Sequence, residues 1–345
     1  MRQILLRGAV DVKSFHYLCG LIITTMQIYK FNSILKPVLW GGSKLLAFKR
    51  QPPRDRSIGE SWELSAMSNR ESVVAAGDER GLTLNQLVRR YGADLVGREV
   101  YSRYGDQFPL LIKFIDAKRD LSVQVHPDDA MAHRRHGCAG KNEMWYIIDT
   151  DDGAMIRTGF NRTLTVEEFD RHLADGTLLD VINATESKPG DVFYIPAGQI
   201  HTIGAGNMLV EIQQSSDITY RVWDYNRRDA DGNLRQLHVE EAREALDFNP
   251  RNGQVLDQPC LGDGVTRLVA SPEFTVCRIE VTDDYRMELP SNDTFVALVC
   301  IGGMATLRAA GMAPVTLERG ETALVPAIVD ELDVVGTAML LSVSV

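Results

Sequence analysis

The chain has 345 residues, of which 44% are hydrophobic and 24% charged, and this composition is typical of a globular protein with two or three domains. The formal net charge of −10 argues against nucleic acid or an anionic membrane as a main partner. The five cysteines are odd in number and show no CxxC spacing, which argues against a disulfide framework or a thiolate zinc site and fits a reducing cytoplasm.

The N-terminal segment combines basic side chains with an apolar patch that starts at Leu18. This order resembles a secretion signal, but the apolar stretch is short, two threonines interrupt it, and no small-residue cleavage site follows. The patch is also too short to span a bilayer. We therefore expect residues 1–25 to be a nonessential extension, with the folded chain beginning near Met26.

Two elements are predicted next along the chain. Leu82–Val96 has apolar residues at helical spacing, and Thr83 is a suitable N-cap, so the pattern predicts a helix. The apolar run Phe108–Ala117 predicts a buried strand that carries one lysine, Lys113. Because burial of an unpaired ammonium group is costly, we expect Lys113 to reach either water or an anion.

Two further strands carry polar side chains in pairs. Leu121–Pro127 alternates as a strand does, and Gln124 and His126 are two residues apart, so they share a face. In the same way, Lys141 and Glu143 share a face where another strand begins.

A third apolar stretch ends in a sharp corner. Gly190 allows the turn that precedes the run Val192–Ile195, which predicts a buried strand. Pro196 ends the strand because it has no N–H to donate, and Gly198 lets the chain bend, so that His201 begins the next strand. The spacing of these glycine, proline and histidine residues resembles the second motif of the cupins, a family of small β-barrels.

A cupin barrel brings these three regions together. Gln124, His126, Glu143 and His201 would then converge as two imidazole nitrogens and two side-chain oxygens. This mixed set suits a borderline divalent cation, so we predict a metal site.

Two charged residues follow the histidine strand. Asp217 and Arg221 are four residues apart, and aromatic residues flank Arg221. An always-charged guanidinium in such surroundings should meet either a carboxylate or a substrate oxygen. The sequence leaves open whether Arg221 binds substrate or forms a structural ion pair with Asp217 or Asp224.

Two helices are expected around the predicted catalytic region. Thr165 followed by Glu168 is a capping box, which predicts a helix from Thr165 to Ile182. Val239–Leu246 predicts a short acidic helix that ends before Pro250. We interpret this point as a boundary between a domain of residues 26–248 and a domain of residues 249–345.

The C-terminal region repeats the corner motif. Gly320 and Pro326 are six residues apart and enclose an apolar run, as Gly190 and Pro196 do, but the position that matches His201 is Glu331. We therefore predict a degenerate cupin domain without metal at residues 249–345. The predicted fold is mainly β, with two cupin-type jelly-roll barrels and a few decorating helices.

Six motifs resemble, in the same order, those of the short bacterial form of the type I mannose-6-phosphate isomerases. They are Ile34–Gly42, Gly59–Ser65, Ser122–Pro127, Gly140–Tyr146, Pro196–His201 and Tyr220–Tyr225. The resemblance runs from about Tyr29 to the C-terminus, densely through Phe248 and weakly beyond it. Longer members of the family read His-Lys-Pro-Glu where this chain reads Gly-Lys-Asn-Glu, so any role of that histidine is absent here or supplied elsewhere.

The resemblance implies an aldose–ketose isomerase that interconverts mannose 6-phosphate and fructose 6-phosphate through an enediol, with one Zn²⁺ per chain. It places Lys113 and Ser122 near the sugar phosphate and Arg221 at the reacting sugar, and Asp217 is a further candidate for substrate binding. The expected partner is a small phosphosugar, with neither nucleic acid nor membrane, and the chain is expected to be a monomer or a homodimer.

Lys141 and Arg221 are the predicted catalytic residues, because both can stabilise negative charge on the substrate oxygens. The sequence leaves the base open among Lys141, Asp217, Glu211 and a metal-bound water. It also leaves open three alternatives: an iron-dependent cupin dioxygenase with two histidines and one carboxylate, a nonenzymatic cupin that binds sugar or acts as a regulatory sensor, and an isomerase of another phosphosugar.

Overall fold

The computed structural model describes residues 26–228, 232–251, 255–289 and 293–345. The predicted N-terminal extension, residues 1–25, lies outside these ranges. Strands account for most of the regular structure of the described chain, which confirms the prediction of a mainly β fold. No helix within these ranges combines the length and the hydropathy needed to cross a lipid bilayer.

The strands follow one another in short steps along the chain. Their bounds are β1 (Tyr29–Asn32), β2 (Ile34–Gly42), β3 (Ile58–Leu64), β4 (Val73–Val74), β5 (Leu110–Asp116), β6 (Val123–Val125), β7 (Glu143–Thr150), β8 (Met155–Phe160), β9 (Ile182–Glu186), β10 (Val192–Ile195), β11 (His201–Ile203), β12 (Asn207–Gln214), β13 (Tyr220–Trp223), β14 (Cys260–Gly262), β15 (Val265–Ala270), β16 (Thr275–Val281), β17 (Asp284–Glu288), β18 (Val296–Arg308), β19 (Val315–Glu318), β20 (Thr322–Val325) and β21 (Glu331–Ser344).

The helices are short and lie between these strands. They are α1 (Lys44–Phe48), α2 (Leu84–Tyr91), α3 (Ala93–Val96), α4 (Arg98–Tyr104), α5 (Asp129–His136), α6 (Val166–Ala174) and α7 (Val239–Ala245), together with a 3₁₀ turn at Leu178–Val181.

The capping predictions are confirmed at two helices. The Thr83 side chain accepts a hydrogen bond from the backbone N–H of Gln86 at the start of α2, and Thr165 does the same with Glu168 at the start of α6. The second helix ends earlier than predicted, at Ala174. Gly176 follows with φ +70°, a left-handed conformation that stops an α-helix.

Two antiparallel sheets face each other in the first part of the chain. One sheet has the strand order β10-β7-β12-β5-β3-β2 and the other β13-β6-β11-β8-β9. A core of apolar side chains from both sheets fills part of the space between them, with Ile115, Trp145 and Leu209 from the first and Ile156 and Ile203 from the second. Polar side chains line the remaining space.

The opposite face of the six-stranded sheet is also covered. Ile112 and Phe114 of β5 belong to a core that includes Leu87 of α2 and Val299 and Leu341 of the C-terminal strands. Every residue of β5 is therefore buried, although its side chains alternate between the two faces. The sheet that carries one side of the candidate site is therefore packed on both of its faces.

The C-terminal strands form a ten-stranded sheet that also contains β1 and β4. Tyr29 of β1 pairs with Leu324 of β20, so the first described strand completes the sheet of the last part of the chain. None of the described strands closes a sheet into a barrel, and the cupin-type fold is present as packed open sheets. The division of the chain at residue 249 remains a prediction.

Candidate metal centre and active site

Strand register aligns three of the predicted residues across the five-stranded sheet. Gln124 on β6 lies opposite His201 on β11, and Arg221 on β13 lies opposite Gln124 on its other side. The corner before His201 forms as predicted: β10 ends at Ile195, and β11 begins with His201 itself. The turn between β10 and β11 thus places the side chain of His201 in the space between the two sheets.

A matching row of side chains crosses the facing sheet. Glu211 on β12 lies opposite Trp145 on β7 and opposite Lys113 on β5, and Lys113 lies opposite Trp62 on β3. Glu143, two residues before Trp145, shares its face because side chains alternate along a strand. The two rows together form the walls of the site.

His126, Glu143 and His201 form a compact cluster of possible metal ligands. One ligand atom from each lies within 4.8 Å of the other two, and all three residues are buried. Glu143 Oε2 is 3.4 Å from Nε2 of His126, and Oε1 is 3.4 Å from Nε2 of His201. The prediction that these three side chains converge is confirmed.

Backbone carbonyl groups orient both imidazole rings. Nδ1 of His126 donates to the carbonyl oxygen of Ile218 at 2.9 Å, and Nδ1 of His201 donates to that of Gln199 at 2.8 Å. Each Nε2 therefore points its lone pair at the cluster, which is the orientation that second-sphere hydrogen bonds give to metal-binding histidines.

The charges of the cluster suit a cation. Burial and the charge of Lys141 lower the pKa of His126 to about 3, and burial lowers that of His201, so both rings are neutral at neutral pH. Burial alone would raise the pKa of Glu143, but the charge of Lys141 holds that pKa well below its usual range. Glu143 Oε1 is buried and accepts no hydrogen bond. One ionised carboxylate and the Nε2 atoms of two neutral imidazole rings together form a ligand set that fits a divalent metal ion.

Gln124 and Lys141 lie beside the cluster. The amide Nε2 of Gln124 is 3.2 Å from Nε2 of His201, and its Oε1 accepts from the Ser122 hydroxyl at 3.3 Å. A half-turn of the amide would present oxygen instead of nitrogen, so Gln124 as a fourth ligand stays a prediction. Nζ of Lys141 donates to Nε2 of His126 at 3.1 Å.

A cavity of about 330 Å³ opens next to these two residues. Its lining carries five cationic and three carboxylate side chains: Lys36, Lys113, Lys141, Arg221 and Arg235, with Glu60, Glu211 and Asp217. The chain as a whole has a net charge of −10, so the excess of two positive charges is local. Such a cavity suits an anionic, oxygen-rich small molecule.

Lys113 reaches an anion, as one of the two expectations had it. Its Nζ donates to Oε1 of Glu211 at 2.6 Å and to Oε1 of Gln213 at 2.7 Å. Burial alone would lower the pKa of Lys113, but Glu211 and Glu60 raise it above the usual range. Trp145 Nε1 donates to the other oxygen of Glu211 at 3.1 Å.

Arg221 forms no ion pair with the described residues. Its Nη1 donates to the carbonyl oxygen of Gln236 at 2.8 Å, and its Nε is buried without a hydrogen-bond partner. Asp217 pairs with Arg70 at 3.2 Å instead, and Asp224 pairs with two other arginines. The alternative of a structural pair with Asp217 or Asp224 is therefore wrong.

Three charged residues of the lining, Lys36, Glu60 and Arg235, are not among the predicted site residues. Lys36 pairs with Glu60 at 3.0 Å and stacks over Trp62, and Arg235 lies in the loop before α7. Lys36 lies on an edge strand and Arg235 on a loop, so neither belongs to a periodic pattern. Glu60 and Trp62 lie in one of the quoted motifs, but alternation alone does not show which face of β3 meets the cavity.

The absent histidine of the Gly-Lys-Asn-Glu motif has a steric explanation. A Cβ atom on Gly140 would lie 2.5 Å from the backbone nitrogen of Asp129, so no side chain fits there. Gly140 instead donates its own N–H to Oδ1 of Asp129 at 2.8 Å. The histidine of the longer motif is thus excluded by the packing of α5 against this loop.

Comparison with protein families gives two matches. The family "Phosphomannose isomerase type I, catalytic domain" matches residues 28–161, which include Gln124, His126 and Glu143. The family "Mannose-6-phosphate isomerase, cupin domain" matches residues 264–345, as expected for the C-terminal region.

Individual relatives agree with these matches. The chain is 41% identical over 227 residues to "Mannose-6-phosphate isomerase ManA" of Bacillus subtilis (strain 168), which covers 65% of this chain and 69% of that protein. It is 35% identical over 290 residues to "Mannose-6-phosphate isomerase" of Streptococcus mutans, and this alignment covers 84% of this chain and 89% of that protein. A crystal structure of the mannose 6-phosphate isomerase from Bacillus subtilis aligns with a TM-score of 0.83 and 30% identity, covering 93% of this chain and 100% of that one.

Proposed function

This chain belongs to the type I phosphomannose isomerases, a family of aldose–ketose isomerases, and we propose that it interconverts mannose 6-phosphate and fructose 6-phosphate through an enediol with a bound Zn²⁺. The observation that carries the proposal is the cluster of His126, Glu143 and His201 beside a cavity with excess positive charge. A sugar phosphate matches this cavity in charge and in its many oxygen atoms.

The proposed metal ligands are His126, Glu143, His201 and, after rotation of its amide, Gln124. A Zn²⁺ ion held there supplies a Lewis acid that makes the proton next to the substrate carbonyl more acidic. Gln124 as a fourth ligand is the feature that favours zinc over the open iron sites of cupin dioxygenases, which need free positions for oxygen.

Lys141 and Arg221 are the proposed catalytic residues of the chain itself. Both line the cavity next to the ligand cluster, and Arg221 has a buried N–H without a partner. The reaction moves a proton between C1 and C2, and negative charge develops on the oxygens of those carbons. Two fixed cations at this end stabilise that charge in the transition state more than in the bound sugar, which is the condition for catalysis.

Lys113, Ser122 and Asp217 are the proposed substrate-binding residues, and all three line the cavity. Lys113 uses two of its three N–H groups within the protein, so one remains for a substrate oxygen. The Ser122 hydroxyl and the half-exposed Asp217 carboxylate provide donor and acceptor groups for the sugar hydroxyls.

The proton acceptor is proposed to be Asp217, because Lys141 stabilises the developing negative charge as an ammonium ion, which cannot take up a proton. Both oxygens of Glu211 already accept hydrogen bonds, from Lys113 and Trp145, so a proton would have to displace one of them. The Asp217 carboxylate lines the cavity. A base must lie within hydrogen-bond reach of the proton it takes.

Isomerisation in D₂O tests the enediol directly. The proposal predicts that fructose 6-phosphate formed from mannose 6-phosphate carries solvent deuterium at C1, measured by NMR or mass spectrometry. Product and recovered substrate without deuterium after many turnovers would instead indicate direct hydride transfer. Turnover of a different sugar phosphate, with none of mannose 6-phosphate, would correct the substrate and keep the reaction class.

A further inference from the structure

Asn142 stands between two residues of the candidate site, Lys141 and Glu143. Because side chains alternate along an extended chain, the Asn142 amide lies on the other side of this segment from both of its neighbours. The residue is half-buried, and its amide oxygen and both amide N–H groups form hydrogen bonds. These bonds reach three segments that are distant from Asn142 in the sequence.

The amide oxygen of Asn142 binds the corner that precedes His201. Oδ1 accepts a hydrogen bond from the backbone N–H of Ala197 at 2.9 Å. Two residues further along the same corner, the carbonyl oxygen of Gln199 accepts from Nδ1 of His201 at 2.8 Å. A shift of the corner would therefore move the group that orients this imidazole ring.

The backbone and the amide nitrogen of Asn142 bind the end of a neighbouring strand. Nδ2 donates to Oε1 of Gln214 at 2.8 Å, and the backbone N–H of Asn142 donates to the same oxygen at 2.9 Å. The backbone N–H of Gln214 donates in turn to the carbonyl oxygen of Asn142 at 3.2 Å. These bonds hold the start of β7, where Glu143 is the first residue, against the last residue of β12.

The third partner of the amide comes from the C-terminal region. Nδ2 of Asn142 also donates to Oε1 of Glu273, in the turn between β15 and β16, at 3.2 Å. A carboxylate oxygen accepts and a backbone N–H donates, so Glu273 on one side and Ala197 on the other both exclude the flipped amide. The region that is predicted to hold no metal thus supplies a group that orients Asn142.

We propose that Asn142 is a positioning residue for the metal centre and that Glu273 acts on the centre through it. Asn142 joins the segment of one proposed ligand, Glu143, to the corner that orients another, His201. This inference rests on the proposed function, because it concerns the metal site of the same enzyme. A proline, which longer members of the family have at this position, has neither the N–H nor the amide that form these bonds.

Zinc affinity distinguishes positioning from a purely structural role. A substitution that only weakens packing lowers the melting temperature but leaves the ligands of the folded protein in place. The Kd of Zn²⁺ for the full-length protein is measured by competition with a chromogenic chelator, and Tm by circular dichroism.

The variants are Asn142→Ala, Glu273→Ala, the double variant of both, and Glu273→Gln, which keeps an acceptor oxygen. Asn32→Ala and Glu288→Ala are the matched controls, because both residues are exposed and lie on other strands.

The proposal predicts that Asn142→Ala weakens zinc binding about tenfold and Glu273→Ala about threefold, whereas Glu273→Gln and both controls stay close to the wild type. The double variant should stay within about twofold of Asn142→Ala, because Glu273 acts through the amide that is then absent. An unchanged Kd in folded Asn142→Ala, whatever its Tm, overturns the inference. Fully additive losses in the double variant overturn the role of Glu273.

The remaining outcomes separate this inference from the proposed function. Should Asn142→Ala fail to fold, an unchanged zinc Kd in Glu273→Ala still overturns the connection to the C-terminal region. A wild-type protein that binds no Zn²⁺ would refute the proposed metal site and the inference together. The predicted losses of zinc affinity without turnover of mannose 6-phosphate would sustain the inference and refute the proposed function.

Discussion

Nζ of Lys141 lies 2.9 Å from Oε2 of Glu143, so a fixed positive charge adjoins a carboxylate that we propose as a metal ligand. Both side chains are buried, and water screens little of the interaction. The site thus combines a ligand set for a cation with a charge that repels one. Repulsion by the Lys141 ammonium lowers the affinity of the cluster for a divalent ion. The presence of this lysine is explained if it acts in the reaction.

Lys141→Met tests this relationship. Removal of the ammonium relieves its repulsion of a divalent ion, so metal affinity should rise on the order of tenfold, while kcat falls. Competition with a chromogenic chelator measures the affinity, and Lys118→Met, at an exposed position, is the control. Weaker metal binding in Lys141→Met would show that the lysine supports the metal site.

His201→Ala should lose metal and activity together. The substitution removes one of three converging ligands, and Glu143 would keep only one imidazole partner in the cluster. Metal content after dialysis, measured by mass spectrometry, checks the result. His172→Ala is the matched control, because His172 bonds to Thr177 away from the site and should leave the metal in place. Full metal content in His201→Ala would remove this residue from the ligand set.

Arg221→Ala should keep the metal and lose activity. The guanidinium lies beside the cavity with no carboxylate partner, so its loss leaves no buried charge unpaired in the protein. We expect kcat to fall by roughly 100- to 1,000-fold, the range for a lost oxyanion donor. Arg221→Lys should recover part of this loss. Activity close to that of the wild type in Arg221→Ala would reduce the residue to a structural role.

The metal-free protein should lose stability as the pH falls below about 6.5. The folded-state pKa of His126 is about 3 and that of His201 is also lowered, whereas both titrate near 6.5 in the unfolded chain. Between these values the unfolded state binds more protons, so the free energy of unfolding rises with pH.

His126 contributes roughly 1.4 kcal/mol per pH unit in that window, and the lowered pKa of His201 adds to the slope in the same direction. Thermal unfolding of the chelated protein at pH 7.5 and pH 5 measures the slope, and His126→Asn should make it shallower. Equal melting temperatures for the unsubstituted protein at the two pH values would contradict the buried, neutral histidines.

Local pattern in the sequence predicted much of the metal centre. The two-residue spacings of Gln124 with His126 and of Lys141 with Glu143 determine which face of a strand each side chain occupies. The proline–glycine corner placed His201 at the start of its strand, and the structure agrees with all of these positions.

Pairing between distant segments could not be read in this way. The Lys113–Glu211 pair depends on the register of β5 and β12. The lack of an ion pair at Arg221 among the described residues depends on the pairing of Asp224 with Arg227 and Arg235 instead. β1 pairs with β20 almost 300 residues later, and no local signal marks such a contact. Arg235 lies in a loop, where side-chain direction follows no period.

The most direct test of the account is a coupled assay of fructose 6-phosphate formation from mannose 6-phosphate, before chelation, after it, and after Zn²⁺ is added back. We predict that chelation abolishes the activity and that zinc restores it. Activity that persists in protein shown to be free of metal would contradict the role given to His126, Glu143 and His201.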